Sequence, residues 1–429
     1  MLQHLILLSS LVLISYQYAT VEQVHLSWNG NPGEMTVTWI TKKPLGTGMY
    51  PYVRYGSDQT LSHHVRNATT TKWKDHGESK VVRYTYRATM EKLTTGTRYY
   101  YAVGSDEKFS NMFNFMPIDQ NKNVKAAIFG DFSVDSGYSM DLLTNSTHEG
   151  DFDIIFHIGD LAYNLQDKEG ATGDDFMNAI ENIAAYVPYM VIAGNHEYDR
   201  IGEDFNHYKH RFTMPSNGKF DDNQFWSFNI GDVHFVGIST EYYGYKMSSE
   251  AQAQYEWLHN DLKLNSHKAW TVLFMHRPMY CSNKEKTGCE FHENLMTRVG
   301  SPGYPALEPL FNDAGVDMVF WGHEHTYQRN YPVYELKSFE KQDVDHFHNA
   351  ATPVYTLTGA AGCHSHQKPV DEIQQKFTAA MLGNYGFSLL SVKNTTEIHT
   401  YFVDAKTDKH LDKFKLTKTL NYKPGQHVH

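Results

Sequence analysis

Six short runs in the middle of this chain constrain its fold more than any other feature. Residues 124–129, 153–158, 189–193, 233–238, 270–275 and 316–321 are apolar on both alternate faces and rich in β-branched or aromatic side chains. Runs of that kind fit strands buried on both sides of a sheet. Helical patterns separate some of them, notably 174–186 and 250–264. Strands alternating with helices require crossover connections, and so predict a sheet that is at least partly parallel. In open α/β sheets, polar groups just past the carboxyl ends of strands converge on one edge.

Five of these runs carry such a group. The signatures are Gly130-Asp131-Phe132-Ser133, Gly159-Asp160-Leu161-Ala162-Tyr163, Gly194-Asn195-His196-Glu197, Leu273-Phe274-Met275-His276 and Gly322-His323-Glu324-His325. One of them alone means little, since Gly-Asp also begins at Gly150, Gly173 and Gly231. A lone Asp after a strand is commonly a helix N-cap, and Gly231-Asp232 reads as a hairpin turn. Among 25 histidines most are structural, and His157, His234 and His399 lie inside strand runs and read that way. The ordered set is what carries chemistry.

Asp131 and Asp160 are carboxylates suited to hard cations, one of them able to bridge two. Asn195 offers a neutral carbonyl oxygen. His276, His323 and His325 offer imidazoles, which suit zinc, iron or manganese. Tyr163 follows Asp160 by three residues, a spacing that in a helical turn sends both side chains from the same face. A phenol binds well only when ionised, and a ferric ion ionises it readily. An extended Gly-His-Glu-His turn sends His323 and His325 to opposite sides, one for each of two ions. Gly194 and Gly322 are expected to supply backbone freedom for tight turns. A ferric and a divalent ion outweigh Asp131, Asp160, an ionised Tyr163 and a bridging hydroxide. The residual positive charge attracts a phosphoryl dianion.

The length of 429 residues predicts two or three domains. The composition, 41% hydrophobic and 20% charged, is that of a soluble globular chain. A net charge of −11 speaks against nucleic acid as a partner. Residues 5–15 are almost wholly apolar and are followed by Tyr16-Gln17-Tyr18-Ala19. That predicts a signal peptide cleaved near Ala19, too short to span a bilayer, and no later stretch is long enough to span one. Asn67, Asn145 and Asn394 head glycosylation sequons. Cys281 and Cys289 enclose a short polar loop and could pair in an oxidising compartment. Cys363 is left over, either buried and inert or paired between chains.

Residues 21–118 have another texture: short alternating strands, polar or glycine-rich turns and no helical pattern, which predicts a β-sandwich. The spacing Leu93, Thr97, Tyr99, Tyr101, Val103 resembles the tyrosine corner of a fibronectin type III domain, and no catalytic role is assigned to this part. After the last signature, strands over 353–358, 386–392 and 398–403 are expected to complete a second sheet. Residues 337–350 read as a surface loop, and the tail from Lys413 is basic and polar, could be disordered and is assigned no role. The division predicted is 1–19 signal peptide, 20–118 β-sandwich, 119–420 catalytic domain and 421–429 polar tail.

The five signatures, together with His276-Arg277-Pro278-Met279-Tyr280-Cys281-Ser282 and the Tyr327 and Arg329 that follow His325, resemble a purple acid phosphatase of the two-domain animal and plant type. The resemblance spans nearly the whole mature chain. It implies an N-terminal fibronectin-like sandwich followed by an α/β metallophosphoesterase domain, a two-sheet βαβαβ sandwich flanked by helices. By that resemblance Asp131, Asp160, Tyr163 and His325 hold Fe(III). Asp160, Asn195, His276 and His323 hold a divalent iron, zinc or manganese ion, with Asp160 bridging. His196 contacts phosphate and His292 protonates the leaving alcohol. The implied activity is an acid phosphatase that hydrolyses phosphomonoesters, of small molecules or phosphoproteins, by attack of a metal-bound hydroxide. The implied compartment is extracellular or lysosomal. A phosphodiesterase or nucleotide pyrophosphatase would fit the same residues, and a catalytically silent glycoprotein is the alternative outside enzymes. Ser133 stands where the family has Gly, which is expected to strain the turn or crowd the pocket. The sequence leaves oligomeric state, physiological substrate and divalent metal open.

Overall fold

The computed structural model describes residues 19–199, 201–280, 282, 292–339, 343–363, 370 and 375–425. The expected signal segment, Cys281 and Cys289 lie outside the described residues.

The N-terminal part is the sandwich its alternating strands predict. One sheet runs in the order Glu22–Ser27, Met35–Thr41, Val82–Met90, Thr69–Lys74, and the other is built on Tyr52–Gly56 and Tyr99–Ser105. Val37, Trp39, Val53, Tyr55 and Tyr101 fill the space between them. The tyrosine corner is present: the Thr94 N–H donates to the Tyr99 hydroxyl at 3.1 Å.

Two seven-stranded sheets follow. The first places Lys125–Phe129, Ile154–Ile158 and Tyr189–Ile192 side by side and parallel. The second places Val233–Gly237, Trp270–Phe274, Met318–Trp321 and Val354–Thr358 side by side and parallel. Between the sheets lies an aromatic layer in which Phe156 stacks on Phe274 at 4.1 Å between centroids, with Phe235 and Trp226 alongside. Large rings suit this place because each buries much apolar area in few rotatable bonds. All five signatures leave the carboxyl ends of these parallel strands, three from the first sheet and two from the second.

The strands at the C-terminal end divide differently from the expectation. Val354–Thr358 joins the second sheet, whereas Gly386–Asn394 pairs antiparallel with Lys125–Phe129 and continues the first through Glu397–Asp404. The region read as a loop contains His346–His348, a strand parallel to His410–Thr417. That second strand carries the chain past Lys413, into the stretch that the sequence left open to disorder. Beyond it, buried Lys418 bonds Asp317 at 2.6 Å and sits 3.8 Å over the Trp270 ring. A charged residue there looked like tail until its partners came from elsewhere in the fold.

Helix Ala171–Ala184 lies where 174–186 was predicted and buries Phe176, Met177, Ile180 and Ile183. Ser248–Leu264 matches its predicted span. Met140–Glu149 was not predicted; it buries little beyond Leu143, so it has almost no apolar stripe to read. Gly231 turns the hairpin between Trp226–Ile230 and Val233–Gly237 with φ 56°. His157, His234 and His399 are structural, bonded to Tyr189, to Asn229 and Asp261, and to Tyr401 and Glu397.

The two parts are joined by a buried charged network. Arg83 of the sandwich reaches Asp174 with Nε and Nη2, each at 2.9 Å. Arg211 meets the same carboxylate at 2.9 Å, and Gln23 bonds both Asp174 and Arg211. Among the described residues no helix is long and apolar enough to cross a membrane.

Candidate metal centre

Each signature begins where its strand ends, and the loops are tied together by main-chain bonds. Asp131 N–H donates to Gly159 O at 3.1 Å, Gly130 N–H to Thr358 O at 2.9 Å and Gly322 N–H to His276 O at 3.1 Å. The backbone here is costly. Asp131, Asp160, Tyr163 and His323 all have positive φ, between 54° and 73°. Non-glycine residues hold that conformation only where the surroundings over-determine it, and such residues gather at functional sites. This corrects the spacing argument for Tyr163. A left-handed loop, rather than a turn of α-helix, carries Tyr163 to Asp131 and His325.

The glycines also act differently from the expectation. Gly194 and Gly322 do not need unusual φ; they need the absence of a Cβ. A Cβ on Gly194 would lie 2.4 Å from Asp160 Oδ1, and one on Gly322 would lie 2.6 Å from Asp131 Oδ2. Ser133 is not strained, having no positive φ, and its hydroxyl bonds Ser136 at 3.0 Å.

The candidate side chains fall into two adjoining groups. In one, Tyr163 Oη lies 2.8 Å from His325 Nε2 and 3.2 Å from Asp131 Oδ1, and His325 Nε2 lies 3.4 Å from that same oxygen. In the other, Asn195 Oδ1 accepts from His323 Nδ1 at 2.8 Å and His276 Nε2 at 3.2 Å, and His276 Nε2 lies 3.2 Å from Asp160 Oδ1. Asp160, His276 and His323 have donor atoms within 4.8 Å of one another. The expected separation of the two histidines of the last signature therefore occurs: His323 faces Asn195, and His325 faces Tyr163. The groups are linked where His323 N–H donates to Asp131 Oδ2 at 2.8 Å.

The electrostatics are those of a site built around positive charge. Burial alone would push His276 down, but the Asp160 carboxylate overrides it and holds the imidazole up at about 10. His325 likewise is held up at about 10 against burial, by Asp131 and Cys363. Burial and the nearby Asp131 and Asp160 hold the Tyr163 phenol well above its ordinary range. Protons on His276 and His325 thus stand in for cations beside two buried carboxylates, whereas burial and the neighbouring His276 hold His323 well below the ordinary imidazole range. Carboxylate, amide, imidazole and phenol oxygen and nitrogen atoms converge here. That donor set fits two metal ions of the hard-to-borderline kind.

Sequence reasoning missed the supports of these groups. Glu197 is buried and its carboxylate accepts three main-chain N–H bonds, from Asp160, Leu161 and Gly194, each at 2.8 Å. It joins the second and third signatures. Its place three residues after Gly194 is a capping-box spacing, so a signal for it existed. His196 N–H donates to Asp160 Oδ1 at 3.1 Å, and its Nδ1 lies 2.8 Å from Asn164 Oδ1. The Asn164 amide donates to Asp167 at 2.9 Å, which fixes its oxygen toward His196. His196 therefore carries its proton on Nδ1 and presents Nε2, which lies 3.9 Å from Asp160 Oδ2. Cys363 is buried with Sγ 3.0 Å from His325 Nδ1. No pattern in the sequence pointed to Asn164 or Cys363. His292 opens helix His292–Val299, and its side chain lies outside the described residues.

Comparison with known proteins agrees along the chain. Residues 21–116 match the family of the purple acid phosphatase N-terminal domain, 124–327 the calcineurin-like phosphoesterases, and 352–413 the iron/zinc purple acid phosphatase-like protein C family. The chain is 34% identical to the acid phosphatase type 7 of Mus musculus over 92% of its length and 90% of that protein. It is 35% identical to that of Homo sapiens over 91% and 89%. Its fold is similar to the solved structure of purple acid phosphatase PPD1 from yellow lupin (Lupinus luteus) seeds. That match has TM-score 0.77 and 20% identity, covering 93% of this chain and 75% of that one.

Proposed function

Because the chain belongs to the purple acid phosphatase family, we propose that it hydrolyses phosphomonoesters at a centre of two metal ions held by the converged signatures. Asp131, Tyr163 and His325 would hold Fe(III); Asn195, His276 and His323 would hold a divalent iron, zinc or manganese ion; Asp160 would serve both. When bound, such a pair supplies the positive charge that polarises the phosphoryl group and makes a water acidic. The observation that carries this reading is the division of the donor atoms into two adjoining groups with both carboxylates buried.

The remaining work falls to the chain itself. His196, held by Asn164 through Nδ1–H, would donate from Nε2 to a phosphoryl oxygen when that nitrogen carries a proton as well. His292 would return a proton to the leaving alcohol, an assignment that rests on the family resemblance. Glu197 holds the loops bearing Asp160 and Asn195 at fixed separation, so the geometry is set before substrate arrives.

The same reading takes residues 1–19 as a signal peptide, 20–118 and 119–420 as the two domains, and the destination as extracellular or lysosomal. Asn67, Asn145 and Asn394 are all exposed, which supports their use as glycan sites, although Asn145 lies within a helix. A Cys281–Cys289 disulfide belongs to the same proposal.

Rates on p-nitrophenyl phosphate and bis(p-nitrophenyl) phosphate, with the metal-loaded enzyme at acid pH, test the function. The monoester is expected to be turned over much faster. A diester rate equal to or above it would move the activity to phosphodiester hydrolysis.

A further inference from the structure

The sandwich domain, to which the sequence assigned no chemistry, reaches the candidate centre. A cavity of about 470 Å³ opens beside Asn195 and His196, and its far wall is made by Asp75, His76 and Gly77 of the first domain. The catalytic domain lines the rest with Asp167, Glu169, Asp199 and Tyr245 among others. The wall is pinned in place. Ser79 N–H donates to Glu169 Oε1 at 2.9 Å, and Asp75 accepts from His207 Nε2 at 2.7 Å and Gly77 N–H at 2.6 Å.

The lining is unevenly charged. Asp75, Asp167, Glu169 and Asp199 face one lysine, Lys168, among the described residues of the cavity. Asp75 and Asp199 are both more than nine-tenths buried. Burial and the neighbouring Arg211 and Arg83 hold His207 down at about 2, so it donates to Asp75 as a neutral ring. Burial pushes Asp199 up to about 7, so it adds its charge only at neutral pH and above. A substrate whose phosphate sits by His196 must direct its alcohol portion along one of the walls of this centre. The cavity here is large enough for a small alcohol, and among its described lining residues carboxylates outnumber lysines.

We propose that this interdomain cavity seats the leaving group, and that its carboxylates select phosphomonoesters whose alcohol carries an ammonium group. The inference rests on the phosphomonoesterase reading above. A second anionic group on the alcohol would meet like charge from Asp75, Asp167 and Glu169 and be disfavoured. The first domain would then be part of the specificity machinery.

Three two-carbon substrates that differ in one terminal group test it: O-phosphoethanolamine, 2-hydroxyethyl phosphate and phosphoglycolate. With the full-length metal-loaded enzyme at neutral pH, kcat/KM is expected to fall in that order, by about five-fold per step, the size of a partly exposed ion pair. The double variant Glu169→Gln/Asp199→Asn keeps a hydrogen-bond acceptor at each position and should narrow the spread between O-phosphoethanolamine and phosphoglycolate. Inhibition constants for 2-aminoethylphosphonate and phosphonoacetate, which are not hydrolysed as phosphate esters, should follow the same order and narrow in the same variant. Equal kcat/KM for the three substrates, a preference for the carboxylate, or an order unchanged in the variant would overturn the proposal. Failure to hydrolyse any of the three and p-nitrophenyl phosphate as well would instead strike the phosphomonoesterase reading.

Discussion

At the scale of single residues, the candidate centre depends on side chains that never touch a substrate. Glu197 is the clearest. Its carboxylate satisfies N–H groups from both the Gly159-Asp160 and Gly194-Asn195 loops. In Glu197→Gln the amide nitrogen would face a main-chain N–H, donor against donor. The expected loss is about 2–4 kcal/mol in urea unfolding, the cost of one or two unsatisfied buried donors. Metal retention after dialysis should fall by about ten-fold or more; unchanged metal content would remove Glu197 from the account. The proposed metal-holding residues were legible because each follows an apolar run and has a side chain with donor chemistry. Asn164 and the contact of Cys363 with His325 were not. Asn164 depends on left-handed backbone at Asp160, Ala162, Tyr163 and Asn164, which spacing along a sequence does not encode, and Cys363 meets His325 from a distant part of the chain.

At the scale of elements, six apolar runs became strands nearly at their predicted bounds, because a strand buried on both faces leaves a continuous apolar signal. The sheet each later strand would join was not legible. Gly386–Asn394 and Val354–Thr358 look alike as sequence yet lie in different sheets. What the elements do require is close approach at their ends. Gly194 has φ −106°, which alanine adopts freely, so Gly194→Ala tests contact alone. Its Cβ would lie 2.4 Å from Asp160 Oδ1 and 2.5 Å from Asp160 N. The variant is expected to fold with a loss of about 1–3 kcal/mol and to bind fewer than two metal ions. Gly150→Ala is the contrast. It caps a helix at φ 77° with nothing within 4 Å, and should cost about 1 kcal/mol while metal content stays the same.

At the scale of the whole molecule, the two domains are held by Asp174 between Arg83 and Arg211, all buried. Burial alone would raise the Asp174 carboxyl, but Arg211 and Arg83 override it and hold it well below the ordinary carboxylate range. Its stabilisation is therefore present above the unfolded value of about 3.9 and is lost as pH falls through the lower folded value. The junction stays ionised in mild acid. Asp174→Asn leaves two buried guanidinium groups short of a partner and should cost about 3–5 kcal/mol. Denaturation at a series of pH values should show that gap constant from neutrality to about pH 4 and narrowing below it; a gap that widened in acid would contradict the assignment.

The central claim is that residues from five strand ends hold two metal ions, with Tyr163 ionised on a ferric one. The most direct test is a visible absorption spectrum and metal analysis of the same purified sample, for the native chain and for Tyr163→Phe. The account predicts two metal ions per chain, at least one of them iron, and a visible band that disappears in the variant. A band that survives in Tyr163→Phe, or a chain that takes up fewer than two metal ions under loading, would contradict it.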